Sequence, residues 1–248
     1  MNAWLYHCGG MQLWRETYKP FGLVPMACGN TGVQMAGWFN REINSLQDLS
    51  GLKMRIPGLG CEVLARVGGV PVSMPGSEVF SSLQTGVIDA TEWVGPYNDL
   101  AFGLHTIARY YYYPGWHEPG PTIESIVNAE AWTSLPADLQ AIVETALRMT
   151  NDDVLAEFTA RNAQALRTLV NDHGVQLRKF PDEVLIRLRT VSREVVAEMA
   201  GDDPLNRRIL DSYDRFSTLV RSYHEISERA YINARVVHSD GGEANDGA

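Results

Sequence analysis

Four polar side chains that follow apolar segments could together bind a small charged ligand. They are Gln34, Arg55, Glu92 and Glu118. The guanidinium of an arginine can hold a carboxylate with two parallel hydrogen bonds. Two carboxylates and an amide oxygen form an all-oxygen set, which is the ligand choice of Ca²⁺ or a similar hard cation. These residue types therefore suit an organic acid, a hard cation, or both.

Other interpretations of the same residues stay open. A single arginine is more often a surface side chain or a salt-bridge partner, and two distant glutamates are more often unrelated surface residues. If Glu92 and Glu118 lie close together, they could instead act as general acid and general base. The sequence has no Gly-x-Ser-x-Gly elbow, no glycine-rich phosphate loop, no Cys/His nucleophile pair and no histidines at zinc spacing. No catalytic set therefore stands out.

The element that should position Glu92 is a short buried strand. Residues 86–97 read GVIDATEWVGPY, an alternating apolar segment that leads into Glu92 and Trp93. Gly95 and Pro96 end the strand, because proline donates no backbone hydrogen bond and disfavours helix in the residue before it. In an open α/β sheet, ligands bind at the carboxyl ends of the strands. Glu92 lies near the carboxyl end of this predicted strand, where a ligand-binding residue is expected.

Strands and helices alternate through the first half of the chain. Predicted strands cover residues 22–28, 52–57, 70–73, 89–94, 108–113 and 122–127, and predicted helices cover 61–68, 77–84 (with Ser77 as N-cap) and 98–104. This alternation is typical of an α/β architecture with crossover connections.

Beyond about residue 130 the sequence becomes mainly helical. Residues 136–172 predict one very long amphipathic helix or two helices nearly in line, and a second helix begins at Pro181. A third long helix is predicted over residues 204–237, and its apolar stripe should face inward. That stripe consists of Ile209, Tyr213, Phe216, Leu219, Tyr223 and Ile226.

Composition and charge exclude some classes of protein. The 248 residues suffice for one large domain or two small ones, and 45% hydrophobic with 21% charged residues is an ordinary globular profile. The net charge of −9 argues against a nucleic-acid partner, which would require a basic surface. No apolar run reaches the roughly 20 residues of a transmembrane helix, and no signal peptide is visible at the N-terminus.

Four motifs occur in order along the first half of the sequence. They lie at residues 29–34 (GNTGVQ), 51–58 (GLKMRIPG), 86–97 (GVIDATEWVGPY) and 111–116 (YYYPGW). With these motifs the chain resembles the solute-binding proteins of TRAP (tripartite ATP-independent periplasmic) transporters, the DctP-type family. Within that family it resembles the branch that binds 2-oxo and 2-hydroxy monocarboxylates, such as pyruvate and lactate, with a metal ion. The resemblance covers about residues 1–235.

The resemblance implies which residues contact the substrate. Arg55 corresponds by position to the family's arginine that holds the substrate carboxylate. The other candidates for substrate contact are Gln34, Trp93, Asn30 and Tyr97. Of these, Asn30 and Tyr97 either touch the ligand or only frame the cleft.

The resemblance also implies a metal site. Gln34, Glu92 and Glu118 correspond to metal-ligating side chains, and Trp93 would contribute its backbone carbonyl and a wall of the pocket. The cation would be Na⁺ or Ca²⁺, and oxygen ligands alone do not distinguish the two. Whether His117, which precedes Glu118, touches the ligand is left open by the sequence.

The implied fold is that of periplasmic binding proteins, with two α/β lobes, long lobe-spanning helices and a helical C-terminal part. The expected division is residues 1–50 for the remainder of lobe 1, 51–128 mostly for lobe 2, 129–237 for long helices packing on both lobes, and 238–248 for a disordered tail. Family members are longer and Met1 falls where they are in mid-domain. The resemblance therefore implies an N-terminally truncated chain that lacks the first βα units of lobe 1.

The implied function is that of a periplasmic, non-enzymatic protein that delivers its acid to a membrane permease. Two alternatives remain: a metal-dependent enzyme acting on 2-oxo acids with Glu92 or Glu118 as base, and a non-functional truncated remnant, which ligands would not stabilise. The long C-terminal helices could form a homodimer interface or could pack only on their own lobes.

Overall fold

The strands of the protein form two separate sheets. The computed structural model describes residues 1–236, so the tail predicted over residues 238–248 lies outside the described residues. The strands are β1 (Leu23–Asn30), β2 (Gly37–Phe39), β3 (Lys53–Arg55), β4 (Val70–Val72), β5 (Ala90–Thr91), β6 (Tyr110–Tyr113), β7 (Thr122–Asn128) and β8 (Gln176–Lys179). β1 and β7 pair as an antiparallel two-stranded sheet, and the other six strands form a sheet in the order β4-β3-β5-β2-β6-β8.

Helices surround both sheets and dominate the second half of the chain. They are α1 (Asn2–His7), α2 (Gly10–Tyr18), α3 (Leu59–Arg66), α4 (Gly76–Gln84), α5 (Pro96–Phe102), α6 (Ala129–Ser134), α7 (Ala137–Asn171), α8 (Asp182–Ala200), α9 (Pro204–Ile226) and α10 (Glu228–Ala234). Among these helices of residues 1–236, none combines the length and the apolar character needed to cross a bilayer.

The six-stranded sheet is buried on both faces. β3 runs parallel to β4 and β5, while β2 runs antiparallel to β5 and β6. Successive residues of a strand point to opposite faces. Trp38 and Tyr111 therefore stack on the face covered by α4 and the end of α7, with ring centroids 4.1 Å apart. Phe39 and Tyr112 pack on the face covered by α3 and α8. The tyrosine-rich segment forms the strand that the sequence predicts.

α7 is a single helix of 35 residues that packs on both sheets. Val154 lies beside Gly29 of β1. One turn further on, Phe158 contacts the ring of Tyr97 in α5 with centroids 5.9 Å apart. Near the end of the helix, Leu169 is fully buried in the core below the six-stranded sheet. The predicted long helix is confirmed as one element.

Two local helix predictions are wrong at their ends. Ser77 is not the N-cap of α4, because the helix already includes Gly76 and its N-cap is Pro75. The helix predicted over residues 204–237 ends at Ile226, and α10 begins after Ser227, whose ψ of −103° is not helical.

The apolar stripe of α9 faces inward only in its first half. Ile209 and Phe216 pack against the cluster of Trp4 and Leu13 from α1 and α2. Leu219, Tyr223 and Ile226 are instead 70%, 62% and 77% exposed. Helical periodicity identifies an apolar face but does not show what covers it, so the inward prediction fails where α9 extends beyond α2.

Candidate functional site

Arg55 and Glu92 are brought together by two adjacent parallel strands. Arg55 ends β3 and pairs in register with Thr91 of β5, so that Glu92 follows directly beside it. The backbone N–H of Glu92 donates to the carbonyl oxygen of Arg55 at 3.2 Å. The Arg55 guanidinium donates from Nη1 to Glu92 Oε1, and these side chains are only 16% and 2% exposed. The carboxyl ends of parallel strands thus carry a buried ion pair, at the place where such sheets bind ligands.

Backbone hydrogen bonds hold Gln34 and Glu118 next to this pair. The backbone N–H of Gln34 donates to the carbonyl of Glu118 at 3.2 Å, and the carbonyl of Gln34 accepts from the N–H of Gly115 at 3.1 Å. Met35 N–H donates to the carbonyl of Val94 at 3.2 Å. The segment after β1 is therefore bonded both to the segment after β6 and to the segment after β5.

The segment that follows Glu92 is fixed by a buried aspartate. Asp99 in α5 accepts hydrogen bonds from the backbone N–H groups of Val94 and Gly95 at Oδ1, at 3.1 and 3.0 Å. Its Oδ2 accepts from Trp38 Nε1 at 2.9 Å and from the Tyr111 hydroxyl at 2.7 Å. Burial raises the pKa of Asp99 to about 6, although these four hydrogen bonds oppose the shift. Val94 and Gly95 thus bond to a side chain instead of to the sheet, which is why the strand predicted over 89–94 ends at Thr91.

The charges of the site are closely coupled. Burial raises the pKa of the Glu118 carboxyl, and the neighbouring charge of Glu92 adds to that effect. His117, Arg55 and a hydrogen bond with the Gln34 side chain oppose it. His117 is only 4% exposed, and its Nε2 lies 3.5 Å from Glu92 Oε2. A raised pKa of Glu118 means that the site resists a second negative charge in its present state.

Several buried polar atoms at the site have no partner within the described part of the chain. They are Oε1 of Gln34 and both ring nitrogens of His117. Gln34 Nε2 makes a long contact of 3.4 Å with the Thr31 hydroxyl, and the Gln34 side chain also interacts with the Glu118 carboxylate. Most buried polar groups in folded proteins are hydrogen-bonded, so that a cluster of unpartnered ones calls for an explanation such as a ligand.

The oxygen atoms near this cluster suit a hard cation. The candidate ligands are two carboxylates, one amide oxygen that has no partner in residues 1–236, and the backbone carbonyl of Trp93, which directly follows Glu92 in the chain. Within residues 1–236, no three His, Cys, Asp or Glu side chains are grouped as a metal site. The candidate set is consistent with this result, because only Glu92 and Glu118 belong to those residue types.

Trp93 and Tyr97 line a cavity of about 400 Å³ whose other lining residues belong to α5. The Trp93 ring stacks on Phe102 with centroids 4.5 Å apart, and the Arg55 guanidinium carbon lies 5.6 Å from the Trp93 ring centroid. Tyr97 donates its backbone N–H to Asn162 of α7 at 2.9 Å. Trp93 therefore connects Arg55 with an aromatic wall.

Asn30 and Tyr97 lie outside the charged cluster. Asn30 accepts from the N–H of Gly32 and donates to Asn2. Neither Asn30 nor Tyr97 makes a hydrogen bond or ion pair to Arg55 or to a site carboxylate in residues 1–236. Their role as substrate contacts stays a prediction.

Two residues that the sequence did not assign to the site belong to its surroundings. His117 is adjacent to Glu118 in the sequence, which was a signal for its position but not for its contact with Glu92. Asp99 lies in the first turn of the helix after Gly95-Pro96. An acidic residue there favours interaction with free backbone N–H groups, but its contacts with Trp38 and Tyr111 depend on tertiary packing.

The family model described as bacterial extracellular solute-binding protein, family 7 (DctP), matches residues 2–203. A monocarboxylate 2-oxoacid-binding periplasmic protein of Nostoc sp. is 39% identical over 231 residues, or 93% of this chain. The chain spans 63% of the length of that relative.

Two crystal structures of TRAP periplasmic solute-binding proteins have the same fold. The protein from Pseudoalteromonas atlantica, with bound sodium and pyruvate, is 42% identical, with a TM-score of 0.89 over 94% of this chain and 70% of its own. The protein from Colwellia psychrerythraea, with bound calcium and pyruvate, is also 42% identical, with a TM-score of 0.90 over 94% and 71% of the two chains.

Proposed function

Because the chain belongs to family 7 of the bacterial extracellular solute-binding proteins, we propose that it is the substrate-binding subunit of a TRAP transporter. It captures a small 2-oxo or 2-hydroxy monocarboxylate, such as pyruvate or lactate, together with Na⁺ or Ca²⁺, in the periplasm. It then delivers the acid to the membrane permease subunits. The observation that carries the proposal is the buried arginine at the end of β3. It lies beside two glutamates and an amide oxygen that has no partner in the described part of the chain.

The proposal gives each residue of the cluster a role. Arg55 holds the carboxylate of the acid with its guanidinium fork. Gln34, Glu92 and Glu118 hold the cation with their side-chain oxygens, and Trp93 does so with its backbone carbonyl. When bound, the cation supplies a second positive centre for the oxygens of the acid.

The aromatic wall completes the pocket in this proposal. Trp93 and Tyr97 cover the apolar part of the acid, and Asn30 lies at the margin of the cleft. The relatives that contain pyruvate with sodium or calcium support this choice of ligands.

The two sheets would be the cores of two lobes that close on the ligand. We propose the division by residue number that the sequence implied, with 1–50 in lobe 1, 51–128 mostly in lobe 2 and 129–237 packing on both. Two strands depart from it, because β2 belongs to the larger sheet and β7 pairs with β1 in the two-stranded sheet. The contacts of α7 with β1, with α5 and with the core of the larger sheet support its role as the helix common to both lobes.

The test is ligand-dependent thermal stabilisation of the full chain. Pyruvate and lactate are added with and without CaCl₂ or NaCl to the wild type, to Arg55→Ala and to the matched control Arg193→Ala, which removes an exposed arginine of α8. We expect a rise in melting temperature for the wild type and the control, and none for Arg55→Ala.

If no acid stabilises the wild type with either cation, the proposal is wrong and the non-functional alternative is favoured. The enzymatic alternative is tested on the same samples by following pyruvate in proton NMR spectra. Unchanged pyruvate supports a receptor, whereas conversion to a product would identify an enzyme.

We also propose that the protein forms a homodimer through α9 and α10. Leu219, Tyr223 and Ile226 of α9, followed by Tyr231 and Ile232 of α10, are all at least 61% exposed. Several large apolar side chains exposed near one another along the chain are typical of an interaction site.

A further inference from the structure

The two side chains proposed to bind different ligands are bonded to each other. Arg55, assigned to the acid, donates to Glu92, assigned to the cation, and both are buried. We propose that Arg55 exchanges the Glu92 carboxylate for the carboxylate of the acid when the site fills, so that acid and cation bind as a linked pair. This inference rests on the proposed function and adds that each ligand tightens the binding of the other.

Binding of the acid without the cation is disfavoured, because the exchange would leave uncompensated negative charge in the site. If Arg55 turns to the acid, Glu92 loses its ion-pair partner while it remains 2% exposed. Removing one partner of a buried ion pair leaves an uncompensated charge, which is strongly unfavourable. Glu118 is a second carboxylate close enough to Glu92 for their negative charges to repel each other. The site would then hold three neighbouring carboxylates with one arginine.

Binding of the cation without the acid is disfavoured, because it would leave uncompensated positive charge in the site. If Glu92 turns to a cation, Arg55 is left 16% exposed beside an additional positive charge and without an anion. When both ligands are present, Arg55 keeps a carboxylate partner and Glu92 keeps a positive partner. The free-energy cost of the exchange is therefore smallest when both ligands bind.

Two contacts would keep the exchanging groups in place. His117 Nε2 lies 3.5 Å from Glu92 Oε2, the oxygen that does not bond to Arg55. Glu92 therefore retains a potential hydrogen-bond donor after Arg55 leaves. The Arg55 guanidinium carbon lies 5.6 Å from the Trp93 ring centroid, a contact that does not depend on which carboxylate Arg55 holds.

The linkage is measured by isothermal titration calorimetry on the full chain. Pyruvate is titrated in chelator-treated, sodium-free buffer and in saturating CaCl₂, and Ca²⁺ is titrated with and without saturating pyruvate. We expect roughly tenfold or greater tightening of pyruvate by Ca²⁺, and the same factor for Ca²⁺ by pyruvate, because coupling is reciprocal.

A matched pair of variants separates the exchange from simple charge repulsion. Glu92→Gln and Glu118→Gln each remove one negative charge from the site, but only the first frees Arg55. We expect Glu92→Gln to bind pyruvate without a cation about tenfold more tightly than the wild type. The increase in pyruvate affinity should be clearly smaller for Glu118→Gln.

Each outcome has one meaning. If the wild type binds pyruvate equally with and without Ca²⁺, the linkage is wrong and the proposed function stands. Equal gains in the two variants contradict the exchange. If the wild type binds pyruvate in neither buffer, both the linkage and the proposed function are wrong. The wild-type titrations decide the linkage even if a variant does not fold.

Discussion

His117 lies beside the second carboxylate oxygen of Glu92, with its Nε2 3.5 Å from Oε2. Its ring is almost fully buried, and neither nitrogen makes a hydrogen bond within residues 1–236. A donor at this position would orient the Glu92 carboxylate toward a cation, as partners outside the ligand shell generally do.

Replacing His117 tests this orienting role. A glutamine can present an N–H group near the position of Nε2, whereas leucine cannot. We expect His117→Leu to weaken Ca²⁺ binding in the presence of pyruvate by roughly tenfold or more, and His117→Gln to restore most of the loss. Calorimetric titration measures both. Equal losses in the two variants would show that His117 acts only by filling space.

The stability of the fold depends on pH through Asp99, and this contribution can be measured separately from those of other groups. Its pKa is about 6 in the folded protein against an ordinary value of 3.8, because the carboxyl group is buried. The folded state therefore binds the proton more tightly than the unfolded chain. The stabilisation from this group is complete below about pH 4 and is lost as the pH rises through about 6.

Comparison with Asp99→Asn removes the contributions of all other groups. The free energy of unfolding of the wild type, relative to that variant, should fall by up to about 3 kcal/mol between about pH 4 and about pH 7. Urea unfolding at a series of pH values measures the difference. A difference that stays constant with pH would refute the shifted pKa.

At the scale of elements, the segment after β6 positions two of the proposed cation ligands, Gln34 and Glu118. Gly115 donates its N–H to the carbonyl of Gln34. A Cβ atom at position 115 would collide with that carbonyl oxygen, so that glycine is required for the close approach.

Two alanine variants of this segment should differ sharply. We expect Gly115→Ala to lower the free energy of unfolding by roughly 1–3 kcal/mol and to weaken acid binding, since Gln34 must move. Gly120→Ala is the matched control, because its added Cβ would meet no atom within 4 Å. Urea unfolding and calorimetry provide both quantities. Equal stability of the two variants would contradict the close approach.

The sequence predicted the secondary-structure elements better than the contacts between them. Arg55 and Glu92 could be placed together because both follow apolar strands, and the carboxyl ends of adjacent parallel strands meet. The backbone bonds among Gln34, Gly115 and Glu118 join segments far apart in the chain, and no local pattern encodes them. The same holds for the contacts of Asp99 with Trp38 and Tyr111.

At the scale of the whole molecule, the exposed half of α9 is the surface that most needs a partner. Leu219, Tyr223 and Ile226 recur at the spacing of one helix face, and all three are exposed. Arg221 lies on the opposite face of the same helix, as the 3.6-residue period requires.

Charge substitutions on the two faces test the proposed dimer. Leu219→Asp with Ile226→Asp and the single change Arg221→Asp alter the net charge by the same amount. We expect the wild type and Arg221→Asp to be dimers in size-exclusion chromatography with light scattering, and the double variant to be a monomer. A monomeric wild type would show that this face has another purpose.

The path of the chain between the two sheets has a mechanical consequence. The chain leaves the two-stranded sheet for the larger one through residues 31–36 and returns through residues 114–121. These two segments carry Gln34, His117 and Glu118. Any rotation of one sheet against the other must bend these two segments, so that the hinges of the proposed closure would also be part of the proposed binding site. Opening would then directly displace the atoms proposed to bind the ligands, and release would not require a conformational change transmitted from a distant hinge.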